Sequence, residues 1–290
     1  MWHICSHRGP DGNSIWYDDD ISLGHNLLAI TSEPAQGKQP VETRHGVLTY
    51  NGEIFNYADL IKETDWIPQT TCDTEYLSHA LGTMPYETVN EKIDSMHAYA
   101  YYRKATKHLI LSRDHVGIKP LYYAEIPQGL VFGSEIKGII DKVPNGRCID
   151  DFAAAAMSYS GINATRNTLF KNIKKVMPGE TLVYDVANKR FIGSSKQIIV
   201  PTSKSKFNAE QFRHEAHETV KMCTLGMRKF GVFLSGGLDS TLVAYELKKI
   251  LGEVDSFTNE MDPNVRIGED HNDDANCAKR FAEDFGFRHH

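Results

Sequence analysis

Short β-rich segments dominate the first half of the chain. Between Gly46 and Val131, apolar and polar positions mix over short runs separated by turn residues, and a helical segment near Thr74–Leu81 interrupts them. The runs are VLTYNGEI, HAYAYYR, HLILSRD, PLYYAEI and GLVFGSE. This pattern predicts hairpins with a few helices. A helix predicted at Asp150–Tyr159 and a hairpin predicted in NIKKVMPGETLVYD, with Pro178 and Gly179 in its turn, complete this part of the chain.

The hydrophobic pattern changes beyond a polar stretch that is rich in Ser and Lys. This stretch begins near Ile192, contains Pro201 and ends at Phe207, which is typical of a linker. Beyond it, NAEQFRHEAHETVKM predicts a helix, and the apolar strand GVFL leads through a loop into the helix STLVAYELKKIL. The strand VDSFTNEM and the helix DDANCAKRFAEDFG repeat that unit, which predicts a parallel α/β sheet with two strands after Gly231. We therefore expect a first domain at residues 1–195, a linker at 196–207 and a second, incomplete domain at 208–290.

Composition narrows the class of function. The 32 basic and 38 acidic side chains give a net charge of −6 and form no long run of one sign, which argues against nucleic acid or an anionic membrane as the main partner. No apolar run approaches the roughly 18 residues of a membrane span, so we expect a soluble, cytoplasmic protein. The five cysteines are widely spaced without a C-x-x-C pair, which fits a reducing compartment. We find no histidine spacing typical of metal ligands.

The segment FLSGGLDST carries the strongest functional signal, because it joins an apolar strand to a helix. Two adjacent glycines there allow backbone N–H groups to approach an anion, so we expect the loop to bind ATP through its phosphates. The expected ATP- and pyrophosphate-binding residues are Leu234, Ser235, Gly236, Gly237, Leu238, Asp239 and Ser240. Asp239 would also hold Mg²⁺ against the phosphates. The loop is not a Walker A sequence, and S-G-G-x-D-S resembles the pyrophosphate loop of ATP-pyrophosphatases. The alternative is an ordinary strand-to-helix turn capped by Ser235 or Asp239.

Six segments, in order along the chain, resemble one enzyme family. They are HRGPDG, YNGEIFNY, RDHVGIKPLYY, FGSEIK, MPGETL and GVFLSGGLDS, and with them the chain resembles the glutamine-hydrolysing asparagine synthetases. The resemblance implies an α+β first domain, an αββα sandwich of the N-terminal-nucleophile (Ntn) hydrolase type, which is a class II glutamine amidotransferase domain. It implies that an incomplete α/β parallel-sheet domain of Rossmann-like type follows. Such enzymes adenylate aspartate with ATP and Mg²⁺ and amidate it with ammonia from glutamine.

The same resemblance implies a glutamine site in the first domain. Asn51 and Gly52 would form an oxyanion hole, with the Asn amide and the Gly N–H as donors. Glu53 and Asp73 would hold the α-amino group of glutamine. As local chemistry alone, Y-N-G-E is also a favourable hairpin turn.

Two departures from the family affect glutamine chemistry. The family's catalytic cysteine becomes the first residue when the initiator Met is removed, whereas Cys5 follows four residues and occupies no catalytic position, so we expect an ordinary thiol. Leu27 stands where the family has the arginine that binds the glutamine carboxylate, and leucine cannot form that pair. We therefore expect no catalytic nucleophile, and glutamine hydrolysis that is absent or dependent on a missing segment. The residues expected to serve in structural ion pairs and turns are Arg113, Asp114, His115 and Glu135.

In the second domain, the strand Ser256–Glu260 would lie beside adenine. Asp273 and Asp274 are expected to be the acidic first turn of a helix and not ligands. The chain is expected to be truncated at both ends, with the residues that select the activated acid beyond His290.

Two rival functions stay open. The first is a β-lactam-synthetase-like ligase without glutaminase activity, which Leu27 and the absent nucleophile favour, whereas the intact Y-N-G-E favours the asparagine synthetase. The second is a non-catalytic fragment, or one half of a split protein that a complementary chain completes. The expected small-molecule partners are glutamine, aspartate and ATP, and the sequence leaves a homodimer open.

Overall fold

The computed structural model describes residues 2–199, 206–262 and 272–290 of the chain. The chain divides into two units, Met1–Pro201 and Thr202–His290, and each has a hydrophobic core of its own. Within those described ranges, no helix is long and apolar enough to cross a lipid bilayer.

Two β-layers form the centre of the first unit. Its strands are β1 (Gly12–Tyr17), β2 (Ser22–Leu27), β3 (Val41–Glu42), β4 (Gly46–Ile54), β5 (Ser95–Arg103), β6 (His108–Arg113), β7 (Tyr122–Ile126), β8 (Gly129–Gly133), β9 (Lys174–Lys175), β10 (Glu180–Asp185) and β11 (Arg190–Lys196). One layer is a six-stranded sheet in the order β11-β10-β6-β5-β4-β3, and the other consists of the hairpin β1-β2 and the sheet β8-β7-β9. The central strands β4 and β5 pair along their whole length.

Helices cover the outer face of the six-stranded sheet. They are α1 (Tyr57–Lys62), α2 (Asp73–Thr83) and α3 (Tyr86–Lys92). Leu77 of α2 is fully buried and belongs to one core cluster with Tyr50 of β4. Pro85 separates α2 from α3, because a residue that precedes proline avoids the helical conformation. Met84 is accordingly extended, with φ −125° and ψ 159°.

Apolar side chains fill the space between the two β-layers. Val47 and Ala100 of the first layer share a core cluster with Leu23 and Tyr123 of the second. The neighbour of Tyr123, Ala124, faces the other way and packs with the 3₁₀ segments Ile136–Gly138 and Ile140–Lys142 and their flanking residues. These four layers confirm the αββα sandwich that the sequence predicted.

The hairpin predicted in NIKKVMPGETLVYD is wrong. β9 pairs with β7 in the second layer, whereas β10 pairs with β6 and β11 in the six-stranded sheet. The Pro178–Gly179 turn therefore carries the chain from one β-layer to the other. Turn residues indicate where a chain bends, but they do not select the strand with which each arm pairs. The helix predicted just before this segment is α4 (Asp151–Ser160), whose N-cap Asp150 accepts a hydrogen bond from the Ala153 N–H at 2.9 Å.

The first part of the polar stretch around the predicted domain boundary is a strand. Residues from Ile192 to Lys196 belong to β11, which pairs with β10 along its length. β11 is an edge strand with mostly exposed positions, so its polar sequence gave no strand signal. Residues 200–205 of the predicted linker lie outside the described residues.

The second unit is a parallel α/β arrangement, as the strand–helix repeat predicted. Its elements are α5 (Ala209–Met222), β12 (Gly231–Phe233), α6 (Leu238–Leu251), β13 (Asp255–Phe257), α7 (Asp273–Asp284) and β14 (Arg288–His289). The strands pair in parallel in the order β12-β13-β14. Its core contains Val232 of β12, Leu247 of α6 and Ala278 of α7.

Two details of the second unit differ from the sequence expectation. β14 is a third strand where two were expected, because two residues are too few to produce a hydrophobic pattern. β13 ends at Phe257, so the strand predicted at Ser256–Glu260 is shorter than expected. Asp273 and Asp274 form the acidic first turn of α7, as expected. Residues 263–271 lie outside the described residues.

Candidate functional site

A cavity of about 620 Å³ lies between the two β-layers of the first unit. Residues of β2, β4, β5 and β8 contribute to its walls, together with the first residues of α2. All four residues of the predicted glutamine site line it, namely Asn51, Gly52, Glu53 and Asp73. The fold therefore brings together side chains from two separate elements, β4 and α2.

The alternation of β4 places these side chains on the cavity wall. Asn51 and Glu53 alternate with Tyr50 and Ile54, which belong to the core cluster beneath the helices. The interpretation of Y-N-G-E as a hairpin turn is wrong, because Asn51, Gly52 and Glu53 pair in register with Ala98, His97 and Met96 of β5. All nine residues of β4 pair with β5, and this pairing outweighs the local preference of Asn-Gly for a turn. A side chain at Gly52 would collide with the Met96 carbonyl and the His97 backbone, so the close strand approach requires glycine.

The Asn51 side chain has an unmet hydrogen-bonding requirement. Its Nδ2 is buried and has no hydrogen-bond partner among the residues that the structure describes. Leaving a buried donor unpaired costs about 1–3 kcal/mol. Because Asn51 lines the cavity, a ligand carbonyl there would supply the missing acceptor.

The Gly52 N–H lies on the outer edge of β4, away from β5. Alternate residues of a strand direct their N–H groups to the same side. On that side, the Tyr50 N–H donates to Gln39 Oε1 at 2.7 Å and the Ile54 N–H donates to Asp73 Oδ2 at 3.0 Å. Among the described residues, β3 pairs with β4 only at Val47 and Leu48, so no strand faces Gly52 on this edge. The Gly52 N–H is therefore placed to bind an acceptor that does not belong to the sheet.

Two neighbouring carboxyl groups give the cavity a cation-binding region. Asp73 accepts hydrogen bonds from Ile54 N–H, from Tyr50 Oη at 3.2 Å and from Thr31 Oγ1 at 3.2 Å. Burial nevertheless raises the pKa of Asp73. Burial also raises the pKa of Glu53, where the positive charge of Lys119 partly offsets burial and the Asp73 charge adds to it. An ammonium group between these carboxyls would compensate the charge that burial makes unfavourable.

Two further cavity residues were missed by the sequence reasoning. His25 of β2 lies with Nδ1 3.2 Å from Thr49 Oγ1, and burial lowers its pKa to about 4, so it is neutral near pH 7. Lys119 lines the same cavity. His25 lies two residues before Leu27, and Lys119 lies within RDHVGIKPLYY; these positions are the signal that could have indicated them.

Leu27 and Cys5 line the cavity as well. Leu27 offers an apolar side chain, so no guanidinium is available at that position. Burial and the negative charge of Glu135 raise the pKa of the Cys5 thiol, although Lys137 and Arg8 oppose them. A raised pKa disfavours the thiolate that a nucleophile needs.

Glu135 and the RDHVGIKP segment hold the fold together around this cavity. Glu135 forms ion pairs with His7 and Arg8 at 3.0 and 3.1 Å, which link HRGPDG to FGSEIK. Arg113 donates to the backbone carbonyls of the loop that follows it and to that of Val176. These contacts give Glu135 and Arg113 the structural roles that were expected.

In the second unit, the predicted phosphate loop runs from the buried Leu234 after β12 to the first turn of α6. Gly237 is the N-cap of α6 and makes no side-chain capping hydrogen bond. Ser235 Oγ accepts a long hydrogen bond from the Gly237 N–H at 3.4 Å, so the alternative of an ordinary turn held by Ser235 stays open. Ser235 Oγ also contacts Ser240 Oγ at 2.9 Å across the loop. The first N–H groups of a helix without a side-chain cap are suited to bind an anion.

The two loop glycines differ in their surroundings. Gly236 has φ +76°, and a Cβ there would lie 2.5 Å from the Asp274 carbonyl oxygen of α7. Gly237 has φ −76°, and a Cβ there would meet only Ser235 Oγ at 3.4 Å. Gly236 is therefore required by the fold, whereas Gly237 leaves open space at the helix start.

Asp239 is exposed in the first turn of α6. Across the described ranges, no group of three or more His, Cys, Asp or Glu side chains could hold a metal ion. A Mg²⁺ ion at Asp239 would take its other ligands from water or from a bound substrate.

Comparison with known proteins identifies two families along the chain. The family described as glutamine amidotransferase domain matches residues 1–194, and the family described as asparagine synthase matches residues 211–290. The putative asparagine synthetase [glutamine-hydrolyzing] 2 of Methanocaldococcus jannaschii is 28% identical over 269 residues, covering 84% of this chain and 52% of its own length. Asparagine synthetase [glutamine-hydrolyzing] 3 of Bacillus subtilis is 26% identical over 318 residues, covering 100% of this chain and 50% of its own length.

The chain thus spans about half the length of these curated relatives. Among solved structures, the glutamine phosphoribosylpyrophosphate amidotransferase from B. subtilis matches with a TM-score of 0.44 and 16% identity, covering 88% of this chain and 61% of the other. The first family match covers more than half of the chain, from the 3₁₀ helix at Trp2–Arg8 into β11. The chain therefore belongs to the family of glutamine amidotransferase domains, and an asparagine synthase segment follows that domain.

Proposed function

We propose that the chain is part of an asparagine synthetase-like ligase that adenylates aspartate with ATP and amidates it with ammonia from glutamine. In this proposal, residues 1–195 form the amidotransferase domain, 196–207 the linker and 208–290 the synthetase domain. Glutamine binds in the cavity of the first unit, and MgATP binds at the phosphate loop of the second.

The observation that carries the proposal is the buried Asn51 Nδ2, which has no partner among the described residues and lies beside two buried carboxyls in one cavity. Glutamine matches these groups in kind, because it has an amide carbonyl at one end and an ammonium at the other. The carbonyl would accept hydrogen bonds from Asn51 Nδ2 and the Gly52 N–H, and the ammonium would lie near Glu53 and Asp73. Both donors would strengthen their hydrogen bonds as negative charge develops on that oxygen.

At the second site, the uncapped start of α6 would bind the phosphates of ATP. The backbone of Gly237 and Leu238 would approach the phosphates, Ser235 and Ser240 would donate hydroxyl hydrogen bonds, and Asp239 would bind Mg²⁺. The Mg²⁺ ion would neutralise phosphate charge while AMP is transferred to the carboxylate of aspartate and pyrophosphate leaves.

We propose no nucleophile for the first unit. Cys5 is an unsuitable thiol, because its pKa is raised by burial and by Glu135. The chain is therefore expected to bind glutamine without hydrolysing it, unless a complementary segment supplies a thiol at the cavity.

One observation favours a second candidate function. Leu27 places an apolar side chain on the cavity wall, where the resemblance leads us to expect a carboxylate-binding arginine. A β-lactam-synthetase-like ligase that uses no glutamine would have no need of that arginine.

Separate calorimetric titrations with glutamine and with MgATP test these assignments. We expect both to bind, with no ammonia released from glutamine. Asn51→Leu should abolish glutamine binding and leave MgATP binding unchanged, and Gly237→Val should do the reverse, so each variant is the control for the other. Binding of MgATP without glutamine would favour the second candidate, and binding of neither would reject both ligase proposals. Aspartate-dependent exchange between ATP and pyrophosphate would identify the activated acid, and exchange without aspartate would argue against asparagine synthesis.

A further inference from the structure

Lys119 is a basic residue of the cavity wall whose side chain has no fixed partner in the part of the chain that the structure describes. Arg8 and Lys189 also line this cavity, but Arg8 pairs with Glu135 at 3.1 Å and Lys189 is exposed. Among the described residues, no hydrogen bond or ion pair engages the Lys119 ammonium; its electrostatic interaction with Glu53 is the contact found. The Lys119 charge is therefore available to a ligand.

Arg113 and Asp114 hold the backbone of Lys119 in place through hydrogen bonds. The buried carboxylate of Asp114 accepts hydrogen bonds from the N–H groups of Gly117, Ile118 and Lys119 at 2.6, 2.9 and 3.0 Å. Arg113 Nε donates to the Lys119 carbonyl oxygen at 2.7 Å. Burial raises the pKa of Asp114, but these N–H donors outweigh burial and the net pKa is lowered, so Asp114 stays ionised. The loop thus fixes the point from which the Lys119 side chain extends.

A short series of backbone contacts connects the loop at residues 114–119 to Gly52. Gly52 pairs with His97 across β4 and β5. The His97 N–H donates to Asp114 Oδ2 at 3.2 Å, and the same oxygen accepts the Lys119 N–H. Lys119 is therefore anchored beside the strand position that carries Gly52 and Glu53.

The chemistry of an α-amino acid explains why this position matters. Its ammonium and its carboxylate are attached to one carbon, so a cation that binds the carboxylate must lie beside the acids that bind the ammonium. Lys119 lies beside Glu53, whereas Leu27 has no charge to offer. We propose that Lys119 binds the α-carboxylate of the amino acid in this cavity, in the role that Leu27 cannot fill. This inference rests on the proposed function, because it assumes that the cavity binds glutamine.

A purely structural role for Lys119 predicts a different outcome. In that case the Lys119 charge would only balance the charge of Glu53. Its loss would then weaken the binding of every ligand whose ammonium contacts Glu53. A carboxylate-binding role predicts a loss confined to ligands that have the carboxylate. Glutamine and L-glutaminamide separate the two cases, because they differ only in that group.

Calorimetry on the full chain with these two ligands is the test. Wild-type protein should bind glutamine more tightly than glutaminamide. Lys119→Gln should weaken glutamine binding about tenfold or more, as expected when a charge-assisted hydrogen bond is lost, and change glutaminamide binding by no more than about twofold. Lys189→Gln removes an exposed lysine of the same cavity and should change neither affinity. Thermal unfolding of Lys119→Gln should show a folded protein with at most a small loss of stability, because Lys119 makes no described hydrogen bond and only partly offsets the burial of Glu53.

A second substitution checks the geometry. Leu27→Arg in the Lys119→Gln background should restore the preference for glutamine over glutaminamide. Equal weakening of both ligands by Lys119→Gln, or equal binding of both by wild type, would overturn the assignment of Lys119 while leaving the cavity a glutamine site. If neither ligand bound the wild-type chain, the proposed function itself would fail.

Discussion

At the scale of the residue, the Asn51 side chain lowers the stability of the folded chain but is placed to bind a ligand in the cavity. Its Nδ2 is buried without a partner in the described part of the chain, on a cavity wall that also holds Gly52, Glu53 and Asp73. Replacing an unsatisfied donor with an apolar group of similar shape removes a desolvation penalty. Asn51→Leu should therefore raise the free energy of unfolding by about 1 kcal/mol while it abolishes glutamine binding. Urea unfolding and calorimetry would measure the two effects.

Tyr101 supplies the matched control for Asn51. Its hydroxyl is another buried atom without a hydrogen-bond partner among the described residues, but it belongs to the core cluster beneath the helices and not to the cavity wall. Tyr101→Phe should leave glutamine affinity unchanged and stability equal or slightly higher. Reduced stability in Asn51→Leu would mean that Nδ2 is already satisfied in the folded protein.

Glu53 gives a prediction about pH, because burial raises its pKa in the folded state. Below the usual glutamate pKa of about 4.3, the carboxyl is protonated in both the folded and unfolded states, so it contributes no pH dependence. As the pH rises through the raised folded pKa, the folded protein must bury a charge, and stability is lost. Glu53→Gln should match wild type near pH 4 and be more stable than wild type at pH 7. Unfolding free energies measured across this range would reject the account if the difference grew towards low pH.

At the scale of the element, the two glycines of the phosphate loop have different structural roles. Gly236 adopts a left-handed φ of +76° and packs closely against α7, whereas Gly237 has an ordinary φ and open space. Gly236→Ala should destabilise the second unit by about 1–3 kcal/mol, because it combines backbone strain with a steric clash. Gly237→Ala should change stability little.

Amide hydrogen exchange measured by mass spectrometry would resolve this difference. Protection in α6 and α7 should fall in Gly236→Ala and stay at the wild-type level in Gly237→Ala. Equal loss of protection in both variants would show that the loop glycines share one structural role.

The hydrophobic pattern of the sequence predicts some helices and strands of the fold and not others. The five β-rich runs, the helix near Thr74–Leu81 and the strand–helix repeat of the second unit were predicted, because each has a clear hydrophobic pattern. The hairpin predicted in NIKKVMPGETLVYD was wrong, because the choice of strand partner depends on long-range packing and not on the turn. The hydrophobic pattern did not indicate the polar edge strand β11 or the two-residue β14, because neither strand has such a pattern.

At the scale of the whole molecule, the order of the motifs correctly predicted an amidotransferase domain followed by an asparagine synthase segment. The location of Asn51, Gly52, Glu53 and Asp73 in one cavity agrees with the residues that the resemblance implied. The role of Lys119 could not be predicted from sequence, because its position depends on pairing between β4 and β5 and on the Asp114 hydrogen bonds. That Asn51 Nδ2 has no partner within the described ranges likewise emerges only when the surrounding acceptors are placed.

The central claim is that the cavity of the first unit binds glutamine through the Asn51 amide. Nuclear magnetic resonance of the ¹⁵N-labelled chain can observe that side chain directly, with its signals assigned by their loss in Asn51→Leu. On addition of glutamine, the Asn51 Nδ2 signals should shift and saturate with the calorimetric affinity, while the backbone signals of Leu234–Ser240 stay unchanged. Saturable glutamine binding that leaves the Asn51 signals unmoved would contradict the claim.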